Sequence, residues 1–282
     1  MKLARAKGVT GVMIRVDWES LDGHSSFQTL NFINLYAAAA LSNDLDADGT
    51  GIYQRWLAEQ GFYPPGLGEE PKREAARQLE AIMGQTWDVI KRTVYVNDCV
   101  FSDSSTIPVS LEHALWLAEE KNSLKDWVAS KATALRAEPQ NVQWIIREKD
   151  DALAIVAGLK EEIQKGIAVL TPEANQYLTD RFIIFEKYVK GFRAAVQAII
   201  LTKYLLEKEQ DDDSAFSKAA PAILKEKLND LTAVAEEYAD FGKRTSFQHT
   251  VYILLDPERL IALRDDLRRR LNGAVINPAL NF

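Results

Sequence analysis

Cys99 is the only cysteine in 282 residues, so an intrachain disulfide and a cysteine-rich zinc site are both excluded. Histidine is almost as scarce: His24, His113 and His249 lie far apart and form no pair with metal-ligand spacing. Glycine (14) and proline (9) are few for the length, which favours long helices over a β-sandwich or β-barrel. No apolar run is long enough to span a bilayer, since the most apolar helical stretch, 194–206, carries Gln197 and Lys203. The basic start, Met1 to Lys7, is followed by no signal-peptide core. A soluble chain with the cytoplasm as its default compartment is therefore expected. Basic charge is also lacking. Lys and Arg number 34 against 41 Asp and Glu, a net charge of −7, which argues against a nucleic-acid partner and against a polybasic membrane surface.

What is present is ordinary globular composition, 47% hydrophobic and 27% charged, arranged in long helical periods. Three amphipathic patterns fill the second half: about Pro139–Val169, Pro172–Glu207 and Ser214–Phe241. Each spans roughly 30 residues, or about 45 Å of helix. Thr171-Pro172 links the first two tightly and Asp211-Asp212-Asp213 separates the last two, so an antiparallel three-helix bundle is expected at about 139–241. A last helix opens at Asp256-Pro257-Glu258 and stops at Gly273. Upstream, helices are expected at about 27–41, after Asp48, at 71–95 and from Ser110. The fold class is mainly α, a bundle of long antiparallel helices with one or two short strands near the N- and C-termini.

Those strands are 8–18 (GVTGVMIRVDW) and 251–255. The first is β-prone along nearly its whole length, as in a strand buried on both faces of a parallel sheet. Such a strand needs neighbours on both edges. Either it pairs with 250–255 against the helices, or it belongs to a sheet mostly supplied by other residues; the second alternative is the favoured one.

The run Gly8 to Trp18, the polar loop after it, and Phe27-Gln28-Thr29-Leu30-Asn31-Phe32-Ile33-Asn34-Leu35-Tyr36 resemble the last strand and last helix of (β/α)8 glycoside hydrolases of the α-glucuronidase type. The acidic turn Asn43–Asp48 and the Trp-containing segment Ile52–Leu57 resemble the way those enzymes leave the barrel. The resemblance covers about 50 residues at motif level. It implies that residues 1–60 are a barrel-end remnant of strand, loop and helix, and that 61–282 are a helical domain. It also implies that the acid and base carboxylates lie on earlier strands, which would precede Met1. Barrel sites sit at the C-terminal ends of strands. That makes Asp17, Trp18 and Glu19, with Arg15 before them, the candidate substrate-binding residues toward a carbohydrate ligand. His24 joins them from its loop position.

Asp17 and Glu19 point to one strand face with about 7 Å between their Cα atoms. Neighbours on a single strand do not readily flank a glycosidic bond, so positioning is expected rather than acid–base catalysis. Catalytic residues stay unassigned. Asp44, Asp46, Asp48 and Gly49 have the spacing that opens a calcium loop, but Arg55 stands where the bidentate Glu is required, so helix capping is expected and no metal. No cofactor is expected: Gly8-x-x-Gly11 opens no helix, and no Gly-x-Ser-x-Gly elbow accompanies Ser102 to Ser105. Cys99 reads as an inert buried thiol. Trp56, Trp87, Trp116, Trp127 and Trp144 fall on predicted helices, where packing is expected; an exposed one would mark sugar stacking or a protein interface. Three functions result: the non-catalytic helical portion of a carbohydrate-active enzyme, a helical interaction module or homodimer through its helices, or a small hydrolase using Asp17, Glu19 and His24.

Overall fold

A computed structural model describes residues 1–11, 31–97, 99–101, 105–118, 135–208, 214–245 and 254–273. The described chain is mainly α. In order it forms α1 (Lys2–Ala6), α2 (Asn31–Asn43), α3 (Gly49–Glu59), α4 (Glu69–Gly84) and α5 (Thr86–Val94). A hairpin of β1 (Tyr95–Val96) and β2 (Cys99–Val100) follows, then α6 (Leu111–Trp116), α7 (Pro139–Gln164), α8 (Pro172–Glu207), α9 (Ala215–Arg244) and α10 (Pro257–Gly273). Of the two expected strands, residues 12–18 and 251–253 lie outside the described residues. The described sheet is instead mid-chain, with Tyr95 opposite Val100 and Val96 opposite Cys99 in antiparallel register. Tyr95, expected as the end of the helix at 71–95, is in β1 instead, and Asn97, with φ 47°, takes the left-handed conformation that tight hairpin turns use. At the other end Val9, expected in a buried strand, is 47% exposed.

The chain divides into two compact units: Met1–Thr86 with Gly158–Ile184, and Trp87–Ala157 with Phe185–Phe282. In the first, Asp48 caps α3 by accepting a hydrogen bond from the Gly51 amide at 3.2 Å, as the acidic turn predicts. Thr50 donates to Glu80 at 2.6 Å and Gln54 to Glu69 at 2.9 Å, fixing α3 along α4. Beneath these polar ties lies an aromatic core. Trp56, 1% exposed, meets Phe62 edge-on at 5.7 Å, and Phe62 leans on Tyr177 at 5.1 Å. The link before α8 is longer than its sequence suggests. α7 ends at Gln164 rather than near Val169, because Gly166 (φ 79°) turns the chain and Asn175 bonds both the amide and the carbonyl of Ile167. Thr171 then caps α8 at the Ala174 amide.

In the second unit, α8 runs antiparallel to α7 and to α9. Arg193 on α8 reaches Asp150 on α7 at 2.6 Å and Asp230 on α9 at 3.7 Å. Gln197 donates to the Ile146 carbonyl and to Asp150, each at 2.9 Å. α9 buries Ser217, Ala220, Leu224, Leu228, Leu231, Ala235 and Tyr238, a three-and-four spacing that makes one apolar face. The sequence pattern gives α8 one such face as well. Instead, all nine residues from Ala194 to Thr202 are fully buried, as in a helix enclosed on every side. α10 closes on α9 and anchors α6: the buried Asp266 accepts from the Leu111 amide and from Arg270, each at 2.9 Å. Arg269 and Arg270 of α10 thus hold a buried carboxylate.

The single helix expected at 71–95 is two helices, broken at Gln85. The break resets the helical phase. On α5 the buried residues are Val89 and Thr93, and Trp87, expected on the packed face, is turned outward.

Candidate functional site

Arg15, Asp17, Trp18, Glu19 and His24 all lie outside the described residues, as do His249, Trp127 and Ser102 to Ser104. The side chain of Cys99 is likewise outside them. Of the remaining histidines, His113 is engaged locally: its Nδ1 accepts from the Val109 amide at 3.5 Å, and its amide donates to the Ser110 cap at 3.0 Å. Among the described residues no cluster of His, Cys, Asp or Glu could hold a metal ion. Asp44, Asp46 and Asp48 are spent individually, on the Asp46 amide at 3.0 Å, on Lys2 at 2.6 Å and on the α3 cap.

The first unit carries a cleft of about 460 Å³ where α2 turns into α3. Ala39, Ala40 and Ala47 leave space there; Tyr36, Asn43, Asp44 and Arg55 supply polar groups. The Tyr36 hydroxyl donates to Glu59 at 2.7 Å. Burial first, then Glu59, raises the Tyr36 pKa, while Arg55 beside it pushes the other way. Tyr36 therefore stays protonated as a donor. The Asn43 amide bonds the Ala39 carbonyl at 3.1 Å. The described lining thus offers a hydroxyl, an amide, a carboxylate and a guanidinium around a small-residue floor.

α2, which forms one side of the cleft, has no charged residue from Asn31 to Asn43. Every position from Leu35 to Leu41 is apolar or tyrosine, yet Ile33 is the only buried residue described on this helix.

The second unit holds a buried cation that the sequence does not reveal. Lys149 falls in the buried stripe of α7, at the interval between Ile145 and Ala152 where a hydrophobe is expected. Its ammonium donates to the carbonyls of Arg92 and Tyr95 and to Glu148. Burial lowers the Lys149 pKa, and Glu148 opposes that shift. The lysine serves the last turn of α5, whose unsatisfied carbonyls and negative dipole end favour a cation. Its role is structural.

Three tryptophans expected in packed positions stand outside instead: Trp87 at 59% exposure, Trp144 at 54% and Trp116 at 39%. Trp144 lies just off the buried stripe of α7 between Val142 and Ile145.

No helix among the described residues is long and apolar enough to cross a membrane. Compared with protein-family models, with curated proteins and with solved structures, the chain shows no match.

Proposed function

We propose that this chain is the C-terminal helical portion of a carbohydrate-active enzyme built on a (β/α)8 barrel of the α-glucuronidase type, and that it does not cleave a glycosidic bond alone. The observation that carries the reading is α2. A helix apolar on all sides is a core helix. From Leu35 to Leu41 α2 has that composition, but α3 covers only part of it among the described residues. Its other faces fit a neighbouring layer, and a helix that follows a parallel-type strand packs on that strand's sheet. The strand-loop-helix resemblance supplies such a layer. In this reading Asp17, Trp18, Glu19, Arg15 and His24 position a sugar by hydrogen bonds and ring stacking, and the bond-breaking carboxylates come from other strands.

Amide hydrogen exchange of the chain by itself tests this. Fast exchange at 8–18 and along α2, with slow exchange in α8 and α9, is expected. Slow exchange at 8–18 would overturn it, as would glycoside hydrolysis by this chain that disappears in Asp17→Asn or Glu19→Gln. The second reading, a helical module that pairs with another copy of itself, draws on the same uncharged helix. It predicts α2 exchange that slows with protein concentration, together with a dimer in sedimentation.

A further inference from the structure

We propose that the cleft between α2 and α3 binds a small zwitterion, an α-amino acid with an apolar side chain, through Arg55 and Asp44. The site goes beyond the carbohydrate reading and does not depend on it, since it shares no residue with 15–24. The first support is a pair of opposite charges on one surface. The Arg55 guanidinium and the Asp44 carboxylate line the same cleft of about 460 Å³, yet among the described residues no ion pair joins them. Neighbours leave much of each group open. Asp44 spends Oδ1 on the Asp46 amide at 3.0 Å. Lys2, whose field reaches Asp44, is bonded to Asp46 at 2.6 Å. Arg55 stands beside the Tyr36 hydroxyl, whose proton goes to Glu59 at 2.7 Å. A guanidinium has five N–H donors, so most remain for a ligand.

The two charges select the ligand. A neutral molecule would cover both and pair neither, and a desolvated, unpaired charge costs free energy. A simple anion suits Arg55 but meets Asp44 with like charge. A simple cation suits Asp44 but meets Arg55. A molecule carrying both a carboxylate and an ammonium satisfies the two at once with charge-assisted hydrogen bonds.

The second support is the rest of the lining. Ala40 and Ala47 offer methyl surface and no further charge, which suits an aliphatic side chain. The Asn43 side chain donates once, to the Ala39 carbonyl at 3.1 Å. Its own carbonyl oxygen and second N–H can therefore serve the ammonium and the carboxylate. Size agrees with this class. Ligand clefts run to about 300–1,000 Å³, and this one stands toward the small end of that range.

The test is a titration of the full 15N-labelled chain with L-leucine, followed by amide shifts. Two probes keep the side chain and one charge each: 4-methylpentanoate and 3-methylbutylamine. Saturable shifts at Ala40, Asn43 and Ala47 are expected with leucine, and each single-charge probe should bind at least about tenfold more weakly. Arg55→Ala and Asp44→Asn should each weaken leucine by about tenfold. Both positions are exposed, and an unchanged thermal midpoint checks that each variant is folded. The comparison of probes on the unaltered chain decides the matter if a variant is not. The inference is overturned by no saturable shift with leucine, or by shifts that saturate only away from the cleft. It is also overturned if either single-charge probe matches leucine, or if either folded variant keeps the full affinity. None of these outcomes bears on exchange at 8–18, so failure here is distinguishable from failure of the barrel-end reading.

Discussion

Gly191 on α8 and Tyr238 on α9 touch so closely that no side chain fits between them. A Cβ built on Gly191 would stand 2.0 Å from the Tyr238 hydroxyl oxygen and 3.0 Å from Ile107 Cδ1. The hydroxyl donates to the Lys187 carbonyl at 2.6 Å, one turn earlier on the same helix as Gly191. Gly191→Ala must separate the helices or displace the tyrosine. Overpacking at a rigid site predicts a loss of about 2–3 kcal/mol in urea denaturation. Tyr238→Phe removes the hydroxyl and is expected to cost about 1 kcal/mol by itself. Because the two groups are in contact, the double variant should fall short of the summed losses; strict additivity would show that they do not interact as described.

Glu237 lies between Lys187 and Lys190 and accepts a hydrogen bond from each. Burial by itself would raise its pKa, but the two lysines outweigh burial and hold it below its ordinary 4.5. A carboxylate depressed on folding adds stability that is complete above its unfolded pKa and fades as pH falls through the folded value. The unaltered chain should therefore exceed Glu237→Gln by about 1 kcal/mol near neutrality. That difference should shrink as the pH is lowered below 4.5. A pH-independent difference between the two would contradict this.

Lys149 titrates in the opposite sense. Its folded pKa lies below the ordinary 10.5, so the native state sheds its proton first as pH rises, and stability from this site increases toward 10.5. Lys149→Met strips the Arg92 and Tyr95 carbonyls of their donor, and a loss of about 1–3 kcal/mol is expected at pH 7. Denaturation of both proteins between pH 8 and pH 10 should show the advantage of lysine growing with pH.

Trp56 offers a test in the first unit. Its ring fills the α3 core against Phe62, and its Nε1 has no hydrogen-bond partner among the described residues. Trp56→Ala should cost about 3–5 kcal/mol through the cavity it leaves. Trp56→Phe should cost about 1–2 kcal/mol, since it keeps an aromatic ring there and removes a buried donor that gains nothing. Equal destabilisation by the two variants would point to a bond made by the indole nitrogen.

The long helices were legible because their boundaries are written in local chemistry. Pro139, Pro172 and Pro257 open helices at the first-turn position, and Gly273 ends the last. Asp48 and Ser110 cap where short polar side chains precede apolar periods. Legibility failed where neighbours decide. The break at Gln85 is marked only by Gly84, a residue a helix interior also tolerates, and beyond it Trp87 faces outward. Lys149 looks like any solvated lysine until the Arg92 and Tyr95 carbonyls are placed beside it. The cleft beside Tyr36 and Arg55 was hidden for a related reason. It arises from small alanines that leave room, and a run of alanines by itself signals only helix.

Enclosure of α8 from Ala194 to Thr202 bears on how this chain tolerates change. On a half-buried helix, permissive and intolerant sites alternate along the sequence with the turn of the helix. Here that rhythm must vanish. A saturation map across the segment should show an unbroken trough, with alanines closed to larger residues and large residues closed to smaller ones. Sequence drift in the second unit is thus confined to the helices around it, and α8 can vary only when a neighbour varies with it.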